Sequence, residues 1–468
     1  MRTRQTLVLL LALLCSAAAT AEEKSVFSYP QTAQGRRVAA YFAAFAAAAD
    51  GVMETFLRDN LSADALRRDP VEQRLARFRG FKKRADTVRP EKMFPAEDHK
   101  IHLLARDGHG QWLEYSFVFE EGGEEKIAAI LAAPVDAEDV DDLFGPPVAR
   151  AELPARVRAL LDEQAGADLF SGVVLLAHEG RVVFHEARGL ASSEYDVPNR
   201  PDTRFNLGSI NKVFTRIAIG QLAEQKKLSL DDPLKKFLPD YPNPEAAEKV
   251  TVRHLLDMTS GMGDFFGRKY AATPKNQLRS LGDYLPLFSA EPLLFQPGAE
   301  YRYSNGGYVV LGLIIEKASG KSYGDYVREN IYLPAGMVST SHLDADMPAS
   351  NVASGYTRGW DEAEHGAEPR RNNLYTRPVR GSSAGGGYST AMDLYRFALA
   401  LKAGKLLGPL ANEWFNGPQA YAGGAPGINA ELDMETVPGW TVVVLANYDP
   451  PAANQIARKI NILLKRLH

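Results

Sequence analysis

The chain has 468 residues, 45% of them hydrophobic and 24% charged, with a formal net charge of −4 and a single cysteine. That length supports two or three packed domains. The slight negative charge argues against nucleic acid as the main partner, and one cysteine leaves no disulfide framework.

Residues 1–21 read as a secretory signal. Arg2 and Arg4 precede an apolar run over 7–14, and Ala19-Thr20-Ala21 supplies small residues for cleavage. The run is too short to span a bilayer. Cys15 falls inside this segment, after the bulky Leu14. The mature chain is therefore expected to be secreted or periplasmic and to carry no thiol. Residues 22–135 are expected to form a small α+β domain. Residues 35–61 look helical, with Val38, Ala39, Tyr41, Phe42 and Phe45 on an apolar face, and a charged helix follows over 62–85. Strands are predicted over 100–105, 112–119 and 126–132, with turns at Asp107-Gly108 and Gly122-Gly123. One candidate arrangement is a sheet wrapped on a helix, as in the nuclear-transport-factor type. His99 and His102 lack a helical context or further ligand signals, so no metal site is expected there. The acidic, proline-containing stretch 136–154 reads as a linker.

Residues 155–468 have a different organisation. A helix over 155–164 leads to a hairpin, with strands over 172–177 and 182–186 around the Glu179-Gly180 turn. A central helix opens at Ser209, with Val213, Phe214, Ile217, Ala218 and Leu222 covering most of its circumference, so it should be buried. Further helices are predicted over 252–258, 308–318, 323–331 and 390–401. Strands follow over 428–434 and 441–446, and an amphipathic helix over 454–467 ends the chain. Early and late strands around a helical middle imply a mixed α+β or α/β fold. Its single sheet would be antiparallel, flanked by helices, and accompanied by a helical subdomain.

The tetrad Ser209-Ile210-Asn211-Lys212 places a hydroxyl and an amine one helical turn apart, so the amine can reach the hydroxyl. Serine needs a base to become a nucleophile, and a desolvated lysine can serve. The unpaired N–H groups of a helix start suit a developing oxyanion. The tetrad by itself is unspecific, because S-x-x-K should occur by chance roughly once in a chain this long. An ordinary helix start with a capping serine and a solvated lysine is the other reading.

The surroundings add specificity. After Ser209 come Leu228-Ser229-Leu230-Asp231-Asp232-Pro233, Val252-Arg253-His254-Leu255-Leu256 and Met258-Thr259-Ser260-Gly261. Pro297-Gly298, Tyr303-Ser304-Asn305, Pro334-Ala335-Gly336-Met337, Gly386-Gly387-Tyr388-Ser389-Thr390 and Gly423-Gly424-Ala425-Pro426-Gly427 then follow in order. With these motifs, residues from about 155 onward resemble the serine β-lactamase and penicillin-binding-protein superfamily. The likeness is to its class C, D-alanyl-D-alanine carboxypeptidase and esterase-like branch. The resemblance implies that Ser209 is the nucleophile and that Lys212 and Tyr303 share its proton. It also implies that Asn305 holds the substrate carbonyl and that the N–H of Gly424 joins that of Ser209 in the oxyanion hole. A phenol beside an ammonium is expected to have a lowered pKa. A second Tyr-x-Asn, at Tyr241-Pro242-Asn243, reads as a surface turn.

The third motif departs from the family. Where relatives carry Lys-Thr-Gly or His-x-Gly, this chain has Tyr421-Ala422-Gly423, with no cation to grip a substrate carboxylate. A neutral ester or amide then fits better, unless an arginine from elsewhere substitutes. The segment before it, 408–420, is short for the usual preceding strand, so an edge strand is expected to be lost and the wall carrying Gly424 displaced. The expected function is an exported serine hydrolase without cofactor or metal, acting on a small-molecule, peptide or ester substrate. The alternative is a non-catalytic peptidoglycan- or peptide-binding protein that keeps the fold. No H-E-x-x-H or clustered His/Asp signal supports a metallohydrolase.

Overall fold

A computed structural model describes residues 27–94, 99–359, 368–415 and 419–467. The expected leader over 1–21, with Cys15, lies outside the described residues. The chain divides into two compact units, Met1–Phe144 and Gly145–His468. The division falls inside the stretch expected to be a linker, which instead carries helical turns at Ala137–Asp139, Val140–Leu143 and Arg150–Glu152.

The first unit begins with helices α1 (Ala33–Ala47), α2 (Asp50–Asn60), α3 (Ala63–Arg68) and α4 (Val71–Ala85). The single helix expected over 35–61 breaks at Ala48, whose left-handed φ of 53° closes α1. The one expected over 62–85 breaks at Asp69-Pro70, since proline cannot continue a helix from within. Four antiparallel strands follow: β1 (Val88–Met93), β2 (Lys100–Asp107), β3 (Trp112–Phe119) and β4 (Ile127–Val135), paired in sequence order. Strand β1 was not foreseen because it contains Pro90. As an edge strand it tolerates that residue, and the register slips between Pro90 and Lys92. The sheet packs on α1, where Phe42 meets Tyr115 and Phe117 edge-on at 5.2 and 5.9 Å. His102 spends its Nε2 on the Ser116 hydroxyl at 2.5 Å, a structural bond between β2 and β3.

The second unit is built on a five-stranded antiparallel sheet. Its members are β5 (Gly172–His178), β6 (Arg181–Arg188), β7 (Gln419–Ala425), β8 (Ile428–Met434) and β9 (Trp440–Ala446), in the order β7-β8-β9-β5-β6. Both ends of the segment therefore supply strands, as the pattern predicts. Side chains alternate across β5. Val173, Leu175 and Ala177 face the larger helical layer, while Val174 and Leu176 face α5 (Leu153–Gly166) and the C-terminal α9 (Ala452–Lys465). In the larger layer, α6 (Asn211–Glu224) is buried almost all round and packs on α7 (Asn305–Ser319). Phe214 on α6 is fully buried, edge-on to Tyr332 and to Phe397 of α8 (Ala391–Lys402). Truncating such a ring to alanine costs about 3–5 kcal/mol. No helix among the described residues is long and apolar enough to cross a membrane.

Candidate active site

Ser209 sits in a 3₁₀ turn, Gly208–Ile210, that runs directly into α6. The turn is held by its own sequence: the Asn206 side-chain oxygen accepts the Gly208 N–H at 2.9 Å. Gly208 has a left-handed φ of 49°, and a Cβ there would stand 2.9 Å from the Gly424 nitrogen. Only glycine combines that backbone with that clearance.

One turn on, Lys212 Nζ reaches Ser209 Oγ at 3.0 Å, Asn305 Oδ1 at 2.7 Å and the Ala384 carbonyl at 2.5 Å. Its side chain is buried, and the rings of Tyr303 and Tyr308 lie 4.8 and 5.6 Å from the nitrogen. Burial lowers the Lys212 pKa to about 7, against a smaller opposing effect of the Asp264 charge. A neutral amine needs two N–H groups for the Asn305 and Ala384 oxygens, which leaves its lone pair for the Ser209 proton.

Tyr303 and Asn305 come from the turn that opens α7. Ser304 caps that helix, accepting from the Gly307 N–H at 2.9 Å and donating to the Gly263 carbonyl at 3.0 Å. This leaves Tyr303 outside the helix, with its hydroxyl 2.7 Å from Ser209 Oγ. The expected lowering of the Tyr303 pKa is reversed. Burial raises it, outweighing the bond to Ser209, so the phenol keeps its proton at neutral pH. Asn305 is oriented by Asp264, a residue the sequence reading missed. Asp264 Oδ2 accepts the Asn305 backbone N–H at 2.8 Å and its Nδ2 at 2.9 Å. The one available signal was position, three residues after Gly261 of the Thr-Ser-Gly motif. The other Tyr-x-Asn copy is not a surface turn: Tyr241 is buried, and Asn243 caps the helix Pro244–Lys249.

The wall expected to be displaced is in place. β7 is the sheet edge and pairs with β8 without a slip, Gly423 opposite Ala430 and Gly424 opposite Asn429. A Cβ on Gly423 would stand 2.0 Å from the Leu207 carbonyl and 2.9 Å from the Ser209 nitrogen, so β7 touches the nucleophile's turn. An edge strand turns every second N–H away from its partner, and Gly424 lies beside the turn that carries Ser209. The structure thus brings Ser209, Lys212, Tyr303, Asn305 and Gly424 together. Tyr421 does not join them. It packs against the core between β7 and the helical layer, its hydroxyl donates to Gln419 Oε1 at 2.8 Å, and burial raises its pKa.

A cavity of about 760 Å³ opens over Ser209. Phe265, Phe266, Tyr270, Tyr284 and Tyr375 give it a broad aromatic wall. Lys275 and Arg377 also line it. Lys275 is engaged by the carbonyls of Tyr270 and Thr273, and the Arg377 guanidinium lies 5.9 Å from the Tyr388 ring. Among the described residues, no group of three or more His, Cys, Asp or Glu could hold a metal ion.

Comparison with known proteins gives the same outline. A family model described as Beta-lactamase matches residues 157–422. Penicillin-binding protein 4* of Bacillus subtilis (strain 168) is 33% identical over 242 residues, covering 50% of this chain and 52% of the relative, so this chain spans about half that protein's length. Esterase EstB of Burkholderia gladioli is 30% identical over 332 residues, covering 65% of this chain and 82% of the relative. Among solved structures, a penicillin binding protein from Bacillus halodurans matches with a TM-score of 0.59 at 31% identity, over 64% of this chain and 99% of its own.

Proposed function

Since the chain belongs to the beta-lactamase family, we propose that it is an exported serine hydrolase that cleaves an ester or amide through an acyl-enzyme on Ser209. The observation that carries this reading is the pair of contacts on one oxygen: Ser209 Oγ lies 3.0 Å from Lys212 Nζ and 2.7 Å from Tyr303 Oη. In its neutral form Lys212 takes the serine proton as Oγ attacks the carbonyl carbon. The N–H groups of Ser209 and Gly424 receive the oxyanion, and Asn305 positions the substrate carbonyl side. Tyr303, protonated at neutral pH, donates to the leaving oxygen or nitrogen as the C–O or C–N bond breaks. Lys212 then returns its proton to the Tyr303 oxygen through the site. As water adds to the acyl carbon, its proton passes to neutral Lys212 and on to Ser209 Oγ as the C–Oγ bond breaks and the acid leaves. No cofactor enters these steps.

The substrate side follows from the cavity and from β7. The aromatic wall favours a bulky apolar acyl group. The position where relatives place a cation is occupied by Tyr421, which faces the core, so a neutral ester or amide is the better substrate. Esterase EstB, among the relatives, carries an esterase name. Export is supported by the leader pattern over residues 1–21.

The test is intact mass of the protein after treatment with a fluorophosphonate probe, with Ser209→Ala as control and penicillin in parallel. One adduct that disappears in the variant is the expected result. A folded protein that takes neither label would overturn the reading and leave the non-catalytic binding protein in its place.

A further inference from the structure

The face of β8 turned toward α9 carries Asn429, Glu431 and Asp433 in alternation, a polar row beneath a helix rather than in water. Its hydrogen bonds run in one direction. Asn429 Oδ1 accepts the backbone N–H groups of Ala453 and Asn454, at 2.6 and 3.1 Å, from the first turn of α9. Those two donors fix the orientation of the Asn429 amide, so its Nδ2 must face the other way. There it donates to the Gly423 carbonyl at 3.0 Å and to Asn454 Oδ1 at 2.8 Å. With Oδ1 thus occupied, Asn454 turns its Nδ2 to Glu431 Oε2, which accepts it in a short contact. Every member of the chain has one possible orientation, and its far end is a carboxyl.

The near end is the peptide that joins Gly423 to Gly424. We propose that Glu431 is a positioning residue for the oxyanion hole, acting through Asn454 and Asn429 to hold and polarise the Gly423–Gly424 peptide. A hydrogen bond accepted by a peptide carbonyl strengthens the N–H on the other side of the same amide plane. The Gly424 N–H gains in this way, and the plane cannot rotate without breaking the Asn429 bond. Glycine at both positions leaves the backbone with no side chain of its own to steady it, so an external brace has a role that a bulkier strand would not need. Glu431 is well placed for it: burial raises its carboxyl to about 7, the Asn454 bond opposes that rise, and Asp433 adds to it.

The inference rests on the acyl-enzyme reading, and the experiment separates the two. Steady-state hydrolysis of a p-nitrophenyl ester is measured for the full chain, for Glu431→Leu, Glu431→Gln and Asn454→Ala, and for the double variant Glu431→Leu/Asn454→Ala. Thermal unfolding of each reports folding. Glu431→Leu is expected to lower kcat about tenfold with little change in KM, less than the loss of an oxyanion donor outright. Glu431→Gln, whose amide oxygen can accept from Asn454, recovers most of that loss. The double variant should be no worse than the poorer single one, since both cut one chain. A folded Glu431→Leu protein with unchanged kcat, or losses that multiply in the double variant, would overturn the relay alone. A wild-type protein that hydrolyses no ester and takes no fluorophosphonate overturns the acyl-enzyme reading and the relay with it.

Discussion

Asp264 accepts both N–H groups of Asn305 on a single oxygen, the backbone one at 2.8 Å and the side-chain one at 2.9 Å. Its other oxygen takes the Phe266 N–H at 3.0 Å. The carboxylate therefore turns Asn305 Oδ1 toward Lys212, where it stands 2.7 Å from Nζ. Replacing it by asparagine forces an NH₂ group against one of these donors. The variant Asp264→Asn should lose at least about tenfold in kcat/KM. The pH profile gives a second, signed readout. The Asp264 charge raises the Lys212 pKa, so its removal lets that pKa fall further. The rise of activity with pH, as Lys212 loses its proton, should move to lower pH in the variant even as its plateau drops. A profile that keeps its midpoint would break the link between Asp264 and Lys212.

Lys212 should also be a cost to stability. Its pKa is about 7 in the folded protein and about 10.4 for an unperturbed lysine. Between those values the unfolded chain binds the extra proton. The penalty is therefore full below pH 7, shrinks as pH rises, and is gone near pH 10. Lys212→Met removes the buried amine and should raise the Tm most at pH 6, with an upper limit on the order of 4 kcal/mol before the lost hydrogen bonds are counted. The gain should fade by pH 9 to 10, while activity is abolished at every pH. Thermal unfolding of both proteins across that range checks the sign. A stabilisation that grows with pH would contradict the buried-amine account.

How much of this was legible depends on whether a residue's partner is near it in sequence. Ser209 and Lys212 lie one helical turn apart, so local spacing pairs them, while Tyr303 and Asn305, which flank the cap of α7, were singled out by the family resemblance of the ordered motifs. Gly424 was singled out by the same resemblance, and the departure at Tyr421 left it standing because a backbone donor needs only a backbone position. Asp264 was missed because its partner is in another loop, brought close by bonds such as Arg302 N–H to the Met258 carbonyl at 2.8 Å. In β8 the polar residues alternate with Ile428, Ala430 and Leu432, a pattern that usually marks a water-facing side, but α9 covers that side and turns Asn429 and Glu431 inward. In the first unit, Pro90 hid an edge strand that its position tolerates. Each miss is a tertiary contact overriding a local signal.

Tyr303 offers a test of the proton path with little risk to the fold. It lies outside the α7 helix and its hydroxyl contacts Ser209 Oγ at 2.7 Å, so deleting that hydroxyl removes a contact in the site and none in the core. Tyr303→Phe should lower kcat by about a hundredfold, the scale of a general acid–base contribution. Lys212 still activates Ser209 in this variant, so a good leaving group such as p-nitrophenolate should suffer less than a poor one such as an alkyl alcohol or amine. Comparing the two leaving groups separates proton donation from simple loss of a contact. An equal loss for both would remove Tyr303 from the donor role.

Tyr421 is where family resemblance and observed packing disagree, and substitution decides between them. The hydroxyl bonds to Gln419 at 2.8 Å, and the ring is half-buried against the main core rather than in the cavity lining. Tyr421→Phe should therefore leave kcat and KM for a neutral ester unchanged and cost about 1 kcal/mol at most, the net worth of one hydrogen bond. Tyr421→Lys installs the cation that the family resemblance leads one to expect at this position. Here its stem enters the same layer beside α6, so it should lower the Tm without improving KM for an ester that bears a free carboxylate. Parallel assays on a neutral ester and on its monoester dicarboxylic counterpart check both variants. A clear gain for the carboxylate substrate in Tyr421→Lys would show that this position faces the bound substrate after all, and would restore Tyr421 to the site.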